Sequence, residues 1–186
     1  EIAVHTDPGM VRSHNEDSIA QDPAHGLVVL ADGMGGYNAG EVASGMATSV
    51  IITETRQLFG RTPPYVLDPE TNLPIAPRVI RDQVLKANAS IFRAAQSQPQ
   101  YAGMGTTLVV ALFYDNRMLV AHLGDSRLYR LRGGAFQQIT RDHSLLQEQI
   151  DAGLITPEQA AFSANKNLVT RAVGVEDTVL LETHQH

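Results

Sequence analysis

The 186-residue chain has no cysteine, which excludes a disulfide scaffold and a cysteine nucleophile. It is also short of basic residues: 14 Lys and Arg stand against 20 Asp and Glu, for a formal charge of −6. Binding to a phosphate backbone relies on clustered cations, so nucleic acid is not expected as a partner. No apolar run approaches the length of a membrane span, and the chain does not open on a basic start followed by a long apolar stretch. No membrane partner is therefore expected, and the cytoplasm is the expected compartment. There is no internal repeat, no low-complexity segment and no complete Gly-x-Gly-x-x-Gly pattern opening a helix, which removes the dinucleotide-fold reading. With 43% hydrophobic and 18% charged residues, one domain with a sizeable core is expected.

Two short segments near the start carry the chemistry. The first is Arg12-Ser13-His14-Asn15-Glu16-Asp17; the second is Ala31-Asp32-Gly33-Met34-Gly35-Gly36, at the end of the apolar run Leu27-Val28-Val29-Leu30. The run reads as a buried strand with Asp32 at its mouth and a glycine-lined loop behind it. A strand-end carboxylate, a Gly33 carbonyl unshielded by a side chain and the pair Glu16 and Asp17 offer oxygen ligands suited to Mg²⁺ or Mn²⁺. Arg12 adds a planar cation suited to gripping a phosphate with two donors. Metal plus phosphate points to phosphoryl chemistry. Each segment alone is also open to a plainer reading, since Asp-Gly is a common turn dipeptide and acidic clusters are common on solvated loops.

Hydrophobic periodicity predicts short strands over residues 2–6, 18–22 and 27–31. A helix is expected over 40–58, with Ala43, Met46, Ala47, Val50, Ile51 and Leu58 on its apolar face. Five prolines between 60 and 77 predict a loop within the domain. A second helix over 78–95 places Ile80, Val84, Ala87 and Ile91 on one side. Strands over 106–114 and 117–123 flank Asp115-Asn116 as a two-residue hairpin turn, and a further hairpin over 127–139 turns at Gly133-Gly134. Residues 142–171 read as a small helical insert, in which Thr156-Pro157-Glu158-Gln159 has the form of a capping box with proline at the first helical position. The fold class is α+β.

Further motifs follow in order: Gly103-Met104-Gly105-Thr106-Thr107-Leu108, Leu123-Gly124-Asp125-Ser126-Arg127, Thr140-Arg141-Asp142-His143-Ser144-Leu145, Gly153-Leu154-Ile155-Thr156-Pro157-Glu158 and Asn167-Leu168-Val169-Thr170-Arg171-Ala172-Val173-Gly174. Together with the first two segments, their order and wording resemble the metal-dependent Ser/Thr protein phosphatases of the PPM (PP2C) family, in its stand-alone bacterial form, over nearly the whole chain. The resemblance implies a four-layer αββα sandwich of two antiparallel sheets flanked by helices, one phosphatase domain over 1–186, and a mobile flap at 142–171. It implies hydrolysis of phosphoserine and phosphothreonine in proteins by a water activated between two Mn²⁺ or Mg²⁺ ions. Asp32 would bridge the ions, with Gly33 contributing its carbonyl, Glu16 and Asp17 holding metal-bound waters, and Arg12 orienting the phosphate. Asp125 would ligate a third ion beside the flap, or else simply cap a turn between strands. Arg12 has its own plainer reading, a surface arginine paired with Glu16. A bacterial Ser/Thr kinase and its substrates are the implied partners.

His14, His122 and His143 fit no zinc spacing and fall in different elements, so solvated or locally hydrogen-bonded histidines are expected. Two departures from the family pattern stand out. Met34 occupies the position where animal relatives carry a histidine proposed as general acid, which leaves the proton donor unassigned. The Ser-Asp-Gly and Asp-Asn segments that supply two further metal ligands are expected downstream of residue 186, so a domain incomplete at its C-terminal side is expected, with little activity from residues 1–186 alone. The competing reading is a phosphopeptide-binding pseudophosphatase that keeps Arg12 and Asp32 without a complete metal centre.

Overall fold

The computed structural model describes residues 1–36, 38–163, 165 and 168–186. Asn167 of the last motif, and Ala164 and Lys166 of the insert, lie outside the described residues. The central sheet is wholly antiparallel in the order β1 (Asp17–Asp22), β2 (Leu27–Met34), β4 (Leu108–Tyr114), β5 (Arg117–Leu123) and β8 (Glu182–Gln185), while the short β3 (Gly105–Thr106) pairs with the far end of β2. A separate two-stranded sheet is formed by β6 (Tyr129–Arg132) and β7 (Ala135–Gln138).

Side-chain alternation decides which face of the sheet is covered. Leu27, Val29 and Ala31 of β2, Leu108, Val110 and Leu112 of β4, and Leu119, Ala121 and Leu123 of β5 all point one way and are buried. They pack beneath α1 (Ala39–Phe59) and α2 (Ala76–Ser97), whose Ala43, Ala47, Ile51, Ile80, Val84, Ala87 and Ile91 complete the core. The α2 stripe is the expected one. In α1 the expected stripe holds except at its end: Leu58 is exposed, and Phe59, one position on, turns inward. Helix α2 starts earlier than expected because Pro77 sits in its first turn, where a missing N–H leaves no hydrogen bond unmade.

Both hairpin turns match their dipeptides. Asp115 (φ 45°) and Asn116 (φ 58°) both adopt left-handed backbone, the geometry whose twist suits a two-residue hairpin. The strand expected over residues 2–6 does not form. Residues 1–8 have no regular structure and are largely exposed, since a short apolar run makes a strand only where a neighbour offers its backbone, and no described strand does. The insert carries α3 (Leu145–Asp151), capped by Ser144, and α4 (Pro157–Ala161). The latter opens on the expected capping box: the Gln159 N–H donates to Thr156 Oγ1 (3.2 Å) and the Thr156 N–H to Gln159 Oε1 (2.8 Å). Among the described residues no helix is long and apolar enough to cross a membrane.

Candidate active site

Asp32 lies opposite Asp17 in the β1–β2 register, close to the point where β2 exchanges its pairing with β4 for pairing with β3. Thr107 occupies the break between β3 and β4 and grips Asp32 from both sides. The Asp32 N–H donates to Thr107 Oγ1 (3.0 Å), and the Thr107 N–H donates to the Asp32 carbonyl (2.9 Å). A side chain thus replaces one rung of the ladder, which re-aims the strand end as bulges do. Thr107 Oγ1 also lies 2.7 Å from Ser126 Oγ. A Cβ on Gly124 would come within 2.8 Å of Thr107 Cβ, so the Gly124-Asp125-Ser126 turn can approach only as glycine at its head. The two downstream motifs meet at Asp32 through this one threonine.

The upstream segment is pinned by glycine and serine. The Gly33 N–H donates to the Glu16 carbonyl (2.9 Å), which also accepts from Ser44 Oγ (2.6 Å) on α1. A Cβ on Gly33 would lie 2.0 Å from the Gly40 carbonyl oxygen, and one on Gly40 would lie 2.6 Å from Glu16 Oε1. Two facing glycines therefore let the first turn of α1 press against the strand end, with Glu16 at a helix N-terminus that favours negative charge. Arg12 Nη1 stands 3.6 Å from Glu16 Oε2 with its side chain two-thirds exposed.

The electrostatics single out Asp32. Its carboxyl is pushed up to about 6, first by partial desolvation, then by the charge and hydrogen bond of Asp17, with Asp125 adding to the rise and Arg12 opposing it. Asp17, Asp32, Asp125 and Arg12 thus share one electrostatic environment. The donor set is oxygen only, and the crowding of negative charge at Asp32 is what a divalent cation relieves, so the residues present fit Mn²⁺ or Mg²⁺. Among the described residues no backbone amide donates to the Asp125 carboxylate. Val169, Thr170 and Arg171 of the insert line a cavity of about 410 Å³ together with Met34, two positions beyond Asp32.

Thr107, Ser44 and Gly40 carry no role in the sequence reading, although Thr107 and Gly40 lie in or beside recognisable motifs. The histidines also behave differently from expectation. His14 is exposed and apart, but His122 and His143 are brought from separate elements into a parallel stack, centroids 4.9 Å apart. His122 Nε2 meets the Arg141 carbonyl oxygen (3.0 Å), and His143 Nδ1 accepts from the Gly124 N–H (3.1 Å). They are locally hydrogen-bonded, as expected, and buried rather than solvated. Burial pushes the His122 imidazole below its usual range.

Comparison with known proteins places the chain among relatives of one kind. A family profile described as Protein phosphatase 2C matches residues 10–165. Protein phosphatase PhpP of Streptococcus pneumoniae is 34% identical over 204 residues, covering 98% of this chain and 74% of that protein. The crystal structure of the Mycobacterium tuberculosis serine/threonine phosphatase PstP/Ppp superposes with a TM-score of 0.83 at 34% identity, over 98% of this chain and 71% of the other. A PstP catalytic domain solved in complex with two manganese ions superposes with a TM-score of 0.77 at 36% identity, over 97% and 70% of the two chains.

Proposed function

The chain belongs to the protein phosphatase 2C family, and from that membership we propose that the Asp32 strand end is the working site of a metal-dependent protein Ser/Thr phosphatase. The enzyme hydrolyses phosphoserine and phosphothreonine in phosphorylated proteins, with Mn²⁺ or Mg²⁺ as cofactor. The observation that carries the site assignment is the Asp32 strand end itself, opposite Asp17 in the register, clamped by Thr107 and backed by Gly33 and Glu16 against the first turn of α1. We assign Asp32 and the Gly33 carbonyl to direct metal contact, Glu16 and Asp17 to the water around the ions, and Asp125 to a third position. For Asp125 the lack of a capped amide favours ligation over a turn-capping role. Cations held there would lower the pKa of bound water and offset the charge of the phosphoryl oxygens.

The chain's own residues do the rest. Arg12 is only loosely paired with Glu16, so its guanidinium is free to turn onto the phosphomonoester, whose oxygens match its planar donors. Attack by water on phosphorus breaks the ester P–O bond and releases phosphate and the alcohol. Met34 has no proton to give, so none reaches the alcohol from that position. Residues 142–171 are assigned as a flap, on the ground that Val169, Thr170 and Arg171 share a cavity with Met34. A bacterial Ser/Thr kinase is the natural counterpart of such an enzyme, and the cytoplasm is the compartment in which the two would meet. The catalytic reading stands over the pseudophosphatase one because the matched relatives are themselves phosphatases. The test is hydrolysis of a phosphothreonine peptide and of p-nitrophenyl phosphate by the protein. Activity should require Mn²⁺ or Mg²⁺ and cease in EDTA; undiminished turnover in chelator overturns the assignment.

A further inference from the structure

The sheet face turned away from α1 and α2 holds a second group of metal-ligating side chains, unrelated to the oxygen donors around Asp32. In the β5–β8 register His122 stands opposite Glu182 and Val120 opposite His184, so His122, Glu182 and His184 share that face. Each offers one ligand atom, and these atoms all lie within 4.8 Å of one another.

Hydrogen bonding settles which atoms are free. A carbonyl oxygen only accepts, so His122 Nε2, 3.0 Å from the Arg141 carbonyl, carries the ring proton. Its Nδ1 is then a bare lone pair on a side chain with no exposure, and Nδ1 has no hydrogen-bond partner. A buried acceptor left unpaired is an exception that calls for an occupant. Anchoring one ring nitrogen on a backbone carbonyl while the other faces the ion is also the usual support for a metal-ligating histidine.

His143 plays a different part. Its Nδ1 accepts from the Gly124 N–H, so its Nε2 bears the proton and donates to Glu182 Oε2 (3.0 Å). That bond orients the carboxylate and leaves Oε1, which lies 2.7 Å from His184 Nε2. The proton now between Oε1 and His184 Nε2 is the one a cation would replace, by a tautomeric shift of His184 to the Nδ1–H form.

We propose that His122 Nδ1, Glu182 Oε1 and His184 Nε2 form a three-ligand site for Zn²⁺, with the fourth tetrahedral position open to water. Two imidazoles and one carboxylate are a donor set that zinc takes, whereas Mn²⁺ and Mg²⁺ prefer the all-oxygen set at Asp32. The ion would tie β8 to β5 and, through His143, to the start of the insert.

The probe is the metal alone. The metal-free chain, with its Asp32 site saturated by Mg²⁺, is titrated with Zn²⁺ against a chromophoric chelator, and separately with Co²⁺ followed by visible absorption. One equivalent of Zn²⁺ should bind, and Co²⁺ should give the strong visible bands of four-coordinate geometry. The His184 side chain is 41% exposed, so His184→Ala should fold; Glu182→Gln keeps the carboxylate's shape without its charge. Each should lower Zn²⁺ affinity by more than about 100-fold, beyond the 10–100-fold typical of second-sphere changes, and abolish the strong Co²⁺ bands. Asp32→Ala should leave both readouts intact. Unchanged Zn²⁺ affinity in both ligand variants, or only the weak bands of six-coordinate Co²⁺ in the parent chain, overturns the site.

Discussion

Replacing Gly33 by alanine tests how closely the metal-facing strand end depends on the first turn of α1. The added Cβ would meet the Gly40 carbonyl oxygen at 2.0 Å, its carbon at 2.3 Å and the Glu16 carbonyl oxygen at 2.7 Å, all main-chain atoms that no side-chain rotation can move aside. Contact distances between non-bonded heavy atoms lie near 3.5 Å, so the helix start or the strand must shift by more than about 1 Å. Overpacking of this kind costs about 1–3 kcal/mol, and the backbone obstacle places Gly33→Ala at the upper end. Stretching the Gly33 N–H···O=C Glu16 bond (2.9 Å) adds about 1 kcal/mol. We expect a total of about 3–4 kcal/mol in urea denaturation, against a usual domain stability of 5–15 kcal/mol, so the variant remains folded. Because Asp32 and the Gly33 carbonyl move with the strand end, calorimetric Mn²⁺ affinity should fall by about tenfold or more. Gly45→Ala is the control: it lies in the same helix, its Cβ meets nothing within 4 Å, and it should stabilise by up to about 1 kcal/mol with Mn²⁺ affinity unchanged. A Gly33→Ala protein with parental stability and parental Mn²⁺ affinity would refute the steric argument.

Arg12→Ala should weaken phosphate engagement, read as lost turnover with Mn²⁺ binding retained, whereas Asp32→Ala should abolish both; equal Mn²⁺ affinity in Asp32→Ala and the parent, by calorimetry, would remove Asp32 from the metal centre. Thr107→Val keeps the side chain's shape but strands the Asp32 N–H and the Ser126 hydroxyl, so a loss of about 1–3 kcal/mol in urea denaturation and a weaker Mn²⁺ site are expected. Asp22 offers a pH test. Burial pushes its carboxyl up, but hydrogen bonds from His25 (2.8 Å) and Arg56 (3.0 Å) outweigh burial and hold it below the ordinary value of 3.8. An acid lowered in the fold stabilises it above the unfolded-state value and loses that contribution as pH falls through the folded one. Asp22→Asn should therefore cost about 1–3 kcal/mol at pH 7, with the gap between variant and parent narrowing below about pH 4 when urea midpoints are compared. A constant gap from pH 7 to 3 would contradict the assignment.

Much of this molecule is legible from the sequence because its signals are local. The apolar stripe of α2, the Asp115-Asn116 turn and the capping box at Thr156 each depend on residues within a turn or two of one another, where chain geometry alone decides what can touch. Asp32 at a strand mouth beside glycine is local in the same sense, and the ordered motifs mark which segments belong to one site. Tertiary structure decided the rest. Residues 2–6 read as a short strand, yet no described strand pairs with them, and pairing rather than composition makes a strand. Thr107 clamps Asp32 across 75 positions, and Gly33 admits α1 only because position 40 is also glycine. His122, His143, Glu182 and His184 show no ligand spacing in sequence, because a sheet register and a loop crossing, not a helical period, bring them within reach of one another. Contacts such as Asp32 with Thr107 and His122 with Glu182 depend on how layers pack and strands align, and no short stretch of sequence contains both partners.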